Sequence, residues 1–123
     1  MIRVHRSWDR VAGEITPKSA AGERRVPVAA LLRDHLISAY HAGDSALAFG
    51  RGEPRPFEPS SVSDRAKRAW QAAGLQALTL HECRHTFASL MIAAGVNGKA
   101  LQTFMGHASI TVTLDLYGHL LAG

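Results

Sequence analysis

The chain from Thr79 onwards carries closely spaced residues that are typical of helix N-caps and C-caps. These residues constrain the fold more than any other feature of the sequence. Thr79 and Glu82 have the spacing of a capping box, which predicts the first turn of a helix, and Gly95 predicts its end. Gly106 likewise predicts the end of a shorter helix that follows, and a third helix runs to Tyr117. The N-caps expected for these helices are Thr79, Asn97 and Ser109.

Two more helices are predicted upstream. Residues 29–42 place apolar side chains on one side, and Gly43 is the expected stop. Ser60 or Ser61 can cap another helix that runs to about residue 73 and ends at Gly74. The glycine- and proline-rich stretch between them, residues 43–59, is interpreted mostly as loop, with a short strand over Ala46-Leu47-Ala48-Phe49.

The first part of the chain reads as β-structure. Ile2-Arg3-Val4-His5 and Arg25-Val26-Pro27-Val28 alternate apolar and polar residues, as strands with one wet face do. Residues 17–22 have turn chemistry, so we expect a hairpin or a three-stranded meander with Lys18 at or beside the turn. The chain is therefore predicted to be α+β, with a small N-terminal antiparallel β-sheet or hairpin followed by a mostly α-helical bundle.

Charge and composition limit the classes of protein to which the chain can belong. The 123 residues include 14 Lys and Arg against 10 Asp and Glu, a net charge of +4, and residues 1–33 hold seven basic against three acidic residues. A basic N-terminal third could contact a phosphate backbone, but for a net charge of +4 alone a solvated hairpin surface is the preferred explanation, so charge does not decide between them. The single cysteine, Cys83, excludes an internal disulfide. With no apolar run long enough for a bilayer and no signal-peptide pattern, we expect no membrane association and a cytoplasmic location.

The helix that begins near Thr79 combines an apolar arc with a polar face. At about 100° per residue, His81, Arg84 and His85 share one face in the first turns, next to the apolar arc but outside it. Backbone N–H groups and the positive end of the helix dipole lie at the same place, which suits an oxyanion. The residues expected on the apolar arc are Leu80, Cys83, Phe87, Leu90, Met91 and Ala94.

One interpretation of this segment is a zinc hydrolase. His81-Glu82-Cys83-Arg84-His85 matches the pattern H-E-x-x-H, in which two histidines bind zinc and the glutamate activates water. No glutamate follows Glu82 and no third histidine stands at position 91, so the longer forms of the motif are missing. Glu82 also has a capping role beside Thr79, so we keep this only as a remote alternative.

A second interpretation uses more of the chain. His81 and Arg84 form an H-x-x-R box at the start of a helix, Gly106-His107 follows near a later turn, and Tyr117 stands about ten residues further on. With these residues, and with Pro17-Lys18-Ser19 preceding a basic strand, the chain resembles the tyrosine recombinases, the phage integrase family. The resemblance covers nearly the whole chain in order.

This resemblance implies a catalytic role for five residues. Tyr117 would attack a DNA phosphodiester and form a phosphotyrosine, while Arg84 and His107 would bind phosphate oxygens. His81 would act as an acid, base or hydrogen-bond donor, and Lys18 would be the general acid for the leaving 5′-oxygen. Fixed cations would stabilise the transition state, so neither a metal nor another cofactor is expected. His85 matches the family pattern but is given only a positional role.

The expected partners are double-stranded DNA and other recombinase protomers. Arg24 and Arg25 would face DNA from the hairpin. Three basic residues of the helix that follows Ser61 are candidate phosphate contacts, although an ordinary solvated helix face explains them as well; they are Arg65, Lys67 and Arg68.

The resemblance also implies that residues 1–123 form a partial catalytic domain. The helix with the family's first catalytic arginine and the N-terminal core-binding domain have no counterpart in the sequence, and Arg3, Arg6 and Arg10 do not match that arginine's motif. We therefore expect a fragment that is inactive in recombination on its own and binds DNA weakly. The alternative is a non-catalytic module that binds DNA or a recombinase.

Overall fold

A computed structural model describes residues 1–42 and 56–121. Within these residues the helices are α1 (Ala30–Ala42), α2 (Pro59–Ala72), α3 (Leu80–Ala93), α4 (Gly98–Met105) and α5 (Ile110–Tyr117). The strands are β1 (Ile2–Val4), β2 (Ser7–Asp9), β3 (Gly13–Ile15) and β4 (Arg24–Val26), with short 3₁₀ helices over Ala20–Gly22 and Gly118–Leu120. The α+β class is confirmed. The stop predicted at Gly43 and the strand predicted over Ala46-Leu47-Ala48-Phe49 lie outside the described residues.

The chain divides into two compact units. The first contains Met1–Val28 and Arg84–Gly123, and the second contains Ala29–Cys83. The first unit therefore holds the four strands, most of α3 and both C-terminal α-helices, while the second holds α1 and α2. None of the helices in the described part of the chain is long and apolar enough to cross a membrane.

The β-structure of the first unit differs in detail from the expected meander. β1 pairs with β4, and β2 pairs with β3, each as an antiparallel two-stranded sheet. The chain reverses after β2 because the Asp9 carboxylate accepts hydrogen bonds of 2.8 Å from the N–H groups of Val11 and Ala12, and Gly13 takes a positive φ of 77°. The stretch predicted as the turn, around Lys18, instead leads into the short 3₁₀ helix.

The predicted caps of the last three helices are confirmed. Thr79 N–H donates to Glu82 Oε1 at 3.1 Å and Glu82 N–H donates to Thr79 Oγ1 at 3.0 Å, a complete capping box. The Asn97 and Ser109 side chains accept from the N–H groups of Ala100 and Thr111. The N-cap of α2 is Glu58 rather than a serine. Pro59 fits the first turn because no intrahelical N–H bond is required there.

The core of the first unit is small and lies between α3, α4 and α5. Its buried apolar residues are Ala88, Leu101, Met105 and Tyr117, with Phe87, Met91, Ile92 and Val96 packed against them. The apolar arc predicted for α3 is therefore wrong at Leu80 and Leu90, which are 58% and 61% exposed. It is also wrong at Ala94, which is exposed and follows the end of the helix. The buried stripe of α3 runs through Ala88, one turn beyond Arg84 and on the side that the sequence pattern assigned to polar residues.

Candidate active site

The carboxyl end of α4 gathers two arginines from different elements. Gly106 ends the helix in the left-handed conformation, with φ 74°, and its N–H bonds back to the carbonyls of Gln102 and Thr103. The next two carbonyls accept from side chains: Arg24 Nε donates to Phe104 O at 3.0 Å, and Arg84 donates to Met105 O at 2.6 Å. Because the last carbonyls of a helix carry a partial negative charge, cationic donors are stabilised there.

Gly106 leaves room for the Arg24 guanidinium where it crosses the helix end. A Cβ placed on Gly106 would lie 2.9 Å from the guanidinium carbon of Arg24. Arg24 also donates to Gly22 O at 2.9 Å, so its side chain is held from both the short 3₁₀ helix and α4. Glycine supplies both the positive φ and the space for this contact.

The His107 backbone and ring are fixed by buried polar groups. Its N–H donates to Gln102 O at 3.1 Å, and its carbonyl accepts from Gln102 Nε2 at 3.2 Å. Its ring Nδ1 lies 2.8 Å from Thr113 Oγ1. Gln102 and Thr113 are 8% and 0% exposed, and Lys99 holds the Gln102 amide oxygen at 3.0 Å. With Nδ1 engaged, Nε2 is the ring nitrogen that can serve a ligand.

Arg24, Arg84 and His107 form a cationic cluster around the end of α4. Burial lowers the pKa of His107, and the charges of Arg84 and Arg24 lower it further. Burial and the charge of Arg84 also lower the pKa of Arg24. Within residues 1–42 and 56–121, no carboxylate forms an ion pair with any member of the cluster. The cluster therefore suits an anion with several oxygens, such as a phosphodiester.

Tyr117 ends α5 with its side chain in the core. It is 4% exposed, and its hydroxyl lies 2.6 Å from His85 Nδ1. The two rings meet edge to face, with centroids 5.6 Å apart. Thr113, one turn earlier on α5, bonds the His107 ring, so one buried face of this helix holds the tyrosine and supports the cationic cluster.

The structure brings only part of the predicted site together. Arg84 and His107 lie in the cationic cluster, and Tyr117 lies on the helix that supports it. Arg24, expected on a DNA-facing surface, turns inward to the same cluster. The other predicted residues are exposed, as Arg84 also is, but have no contact with the cluster or with Tyr117 among the described hydrogen bonds. Lys18 follows β3, Arg25 lies on β4, His81 is in the first turn of α3, and Arg65, Lys67 and Arg68 are on α2 of the second unit.

The residues of the H-E-x-x-H pattern have other contacts. Glu82 completes the capping box, where its bonds to the Thr79 backbone and side chain lower the pKa of its carboxyl group. His85 is bonded to Tyr117. Among the residues that the structure describes, no group of three or more His, Cys, Asp or Glu side chains is placed to hold a metal ion.

From the sequence alone, no role is predicted for Gln102 or Thr113, only a positional role for His85, and a DNA-facing rather than an inward orientation for Arg24. Thr113 carried a usable signal, because it lies four residues before Tyr117 and therefore on the same helix face. Gln102 carried none, since a glutamine within an amphipathic helix is ordinarily solvated. Arg24 and Arg25 look alike in sequence, and only the strand pairing decides which side chain turns inward.

Comparison with known proteins decides the family. The model of the "Phage integrase family" matches residues 21–122. The chain belongs to the phage integrase family. It is 32% identical over 127 residues to the transposase from transposon Tn916 of Enterococcus faecalis, which covers 85% of this chain and 30% of that protein. It is 39% identical over 80 residues to a tyrosine recombinase XerC of Alcanivorax borkumensis, which covers 64% of this chain and 26% of that protein.

The fold of this chain is similar to that of a solved relative. The relative is the Tn1549 transposon integrase in complex with circular intermediate DNA. The match covers 94% of this chain and 44% of that chain, with 25% sequence identity and a TM-score of 0.68. This chain spans about 30% of the length of the Tn916 transposase that it matches. The resemblance to tyrosine recombinases is confirmed.

We predict that Gly106→Ala destabilises the chain more than Gly95→Ala. Both glycines have a positive φ, 74° and 89°, but only the Cβ at Gly106 meets another group, the Arg24 guanidinium at 2.9 Å. The shared backbone strain costs about 1 kcal/mol. At Gly106 the flexible Arg24 side chain must also shift, which weakens its hydrogen bonds to Phe104 O and Gly22 O and should add about 1 kcal/mol. Urea unfolding of both variants measures this difference, and equal free energies of unfolding would contradict the packing described for Arg24.

We also predict that Arg24→Met raises the pKa of His107, because it removes one of the two positive charges that oppose protonation of the ring. Histidine ring proton shifts followed by NMR between pH 4 and 9 measure this pKa. Arg25→Met removes the same charge from an exposed position on the same strand and is the matched control. An unchanged His107 pKa in the Arg24 variant would argue against the cationic cluster.

Proposed function

We propose that the protein takes part in site-specific recombination, cleaving and rejoining DNA strands through a 3′-phosphotyrosine intermediate. In this proposal, residues 1–123 form part of an integrase-type catalytic domain. The observation that carries the proposal is the pairing of the cationic cluster with Tyr117 through α5: Thr113 bonds His107, and Tyr117 follows one turn later. Membership of the phage integrase family supports the same chemistry.

In the forward step, the Tyr117 oxygen attacks the phosphorus of a DNA phosphodiester. The new O–P bond replaces the bond to the 5′-oxygen, so the 3′-phosphate becomes joined to Tyr117 and a 5′-hydroxyl leaves. Arg84 and His107 bind the non-bridging oxygens, and Arg84 keeps guanidinium N–H groups for this besides the one bonded to Met105 O. Lys18 gives a proton to the leaving oxygen, and His81 assists as a further donor, acid or base.

The proposed substrate is double-stranded DNA. Arg3 on β1 is directly opposite Arg25 on β4, and both are exposed. Directly opposed like charges destabilise a sheet, so an anionic backbone over this pair would stabilise it. The DNA complex of the Tn1549 integrase supports this substrate. The proposal includes further DNA contacts from α2, through Arg65, Lys67 and Arg68. It also includes other recombinase protomers as partners and action in the cytoplasm.

We predict that this chain supports strand cleavage when it replaces the matched segment of the Tn916 transposase. Such a chimera restores the parts of the longer relative that this chain does not span. On a nicked suicide substrate, it should form a covalent protein–DNA adduct, seen on a denaturing gel, which Tyr117→Phe abolishes. The isolated chain should form no measurable adduct.

The control is the parent transposase on the same DNA. A chimera that folds and binds this DNA but forms no adduct would contradict the proposed chemistry. DNA binding unchanged by Tyr117→Phe in such a chimera would instead identify a non-catalytic binding module.

We predict that binding of DNA by the isolated chain is weak and weakens steeply with salt, through the pair formed by Arg3 and Arg25. Removing one phosphate contact reduces the slope of log K against log salt concentration by about 1, so Arg25→Ala should show this change in fluorescence anisotropy titrations. Arg6→Ala is the matched control, because it removes the same charge from a side chain already paired with Glu14 at 2.8 Å. Equal slopes for both variants would argue against a specific contact.

A further inference from the structure

We propose that His85 is a further catalytic residue, the base that accepts the Tyr117 proton as the phenol oxygen attacks phosphorus. The proposal rests on the proposed strand cleavage and adds to it a destination for this proton. The geometry points to His85 because its Nδ1 and the hydroxyl oxygen of Tyr117 are 2.6 Å apart, within the range for direct proton transfer.

The surroundings hold this pair in place. Tyr117 is 4% exposed, and its ring belongs to the core formed by Ala88, Leu101 and Met105. His85 lies one turn before Ala88 on α3, and its ring meets the tyrosine ring edge to face. Both partners are therefore set by packing, which lowers the entropic cost of aligning the proton acceptor with the hydroxyl.

The neighbouring residues have different tasks. Arg84 reaches the end of α4, and His107 uses its Nδ1 for Thr113. His81, the histidine of the H-x-x-R box, is exposed in the first turn of α3 and belongs to the second unit. His85 has the geometry that a base needs, a ring nitrogen 2.6 Å from the hydroxyl oxygen of Tyr117.

The proton balance follows from this contact. In the reactive state the neutral imidazole carries its hydrogen on Nε2, and Nδ1 accepts from the Tyr117 hydroxyl. A phenol in water has a pKa near 10 and an imidazole one near 6.5, so the proton transfers as the O–P bond forms rather than before it. The phosphotyrosine then stands beside a protonated His85. During rejoining, the 5′-hydroxyl displaces Tyr117, and His85 returns the proton to the leaving phenol oxygen.

The same hydrogen bond would also suit a latch that keeps the nucleophile buried. The two roles predict opposite effects of substitution: removing a base slows cleavage, whereas removing a latch accelerates it. His85→Asn separates them, since an asparagine amide can replace the Nδ1 hydrogen bond but cannot take up a proton at neutral pH.

The first experiment uses the full 123-residue chain without DNA. Nitrogen-15 NMR of the imidazole rings reports the tautomer of His85, and we expect neutral His85 to carry its proton on Nε2. The Nδ1 shift should change in Tyr117→Phe, which removes the hydroxyl donor. A proton on Nδ1, or no change in Tyr117→Phe, would overturn the proposal whatever the activity.

The second experiment measures single-turnover cleavage of the nicked substrate by the transposase chimera. We expect His85→Asn to slow adduct formation by about 10²-fold or more. Added imidazole should restore part of the rate to His85→Ala but not to His85→Asn, because only the smaller residue leaves room for it. Rescue that depends on the basicity of substituted imidazoles would exclude a merely structural role. His5→Asn, at an exposed histidine, should leave the rate unchanged.

The outcomes separate the two proposals. A chimera that forms no adduct contradicts the proposed function, and the role of His85 falls with it. Adduct formation at the unsubstituted rate in His85→Asn overturns the role of His85 alone. Faster cleavage in His85→Asn identifies the latch and likewise overturns the base.

Discussion

The site depends on two guanidinium groups that bond the last carbonyls of α4. Arg24 and Arg84 carry like charges and would repel each other in an apolar setting, but the helix end offers a partial negative charge and directed acceptors. A carboxylate could also bond both guanidinium groups, but its negative charge would offset their positive charge. The helix end fixes their geometry while leaving the positive charge that a phosphate requires. Gly106 is part of this arrangement because Arg24 lies where any side chain would begin.

Tyr117 is held by the same packing that stabilises the fold. Tyr117 is one of the buried core residues, and the polar residue one turn before it, Thr113, is fully buried and bonded to His107. The buried face of α5 therefore fixes the position of both the Tyr117 phenol and the His107 ring of the cationic cluster relative to the core. A small core suffices for this purpose, because Leu101 and Met105 of α4 pack against the same tyrosine.

The sequence predicted the helices well because their ends depend on local chemistry. The Thr79–Glu82 capping box and the stop at Gly106 were read from a few neighbouring residues, and both are found. The hairpin of β2 and β3 was missed, since its turn depends on an Asp9 carboxylate that two backbone N–H groups share. The inward turn of Arg24 depends on Phe104, 80 residues away, and no local pattern reports such a contact.

The adjacent residues Arg84 and His85 of α3 contact two different helices. Consecutive helix residues differ by about 100°, so Arg84 can reach the end of α4 while His85 reaches Tyr117 on α5. The part of α3 that packs against the core therefore includes the side of Arg84 and His85 as well as Phe87 and Met91 of the predicted arc. Ala88, 0% exposed, lies on that side one turn later, and its small side chain permits close approach. Each of the two polar residues has a partner: Arg84, an exposed residue, bonds a backbone carbonyl, and the half-buried His85 bonds the phenol of Tyr117.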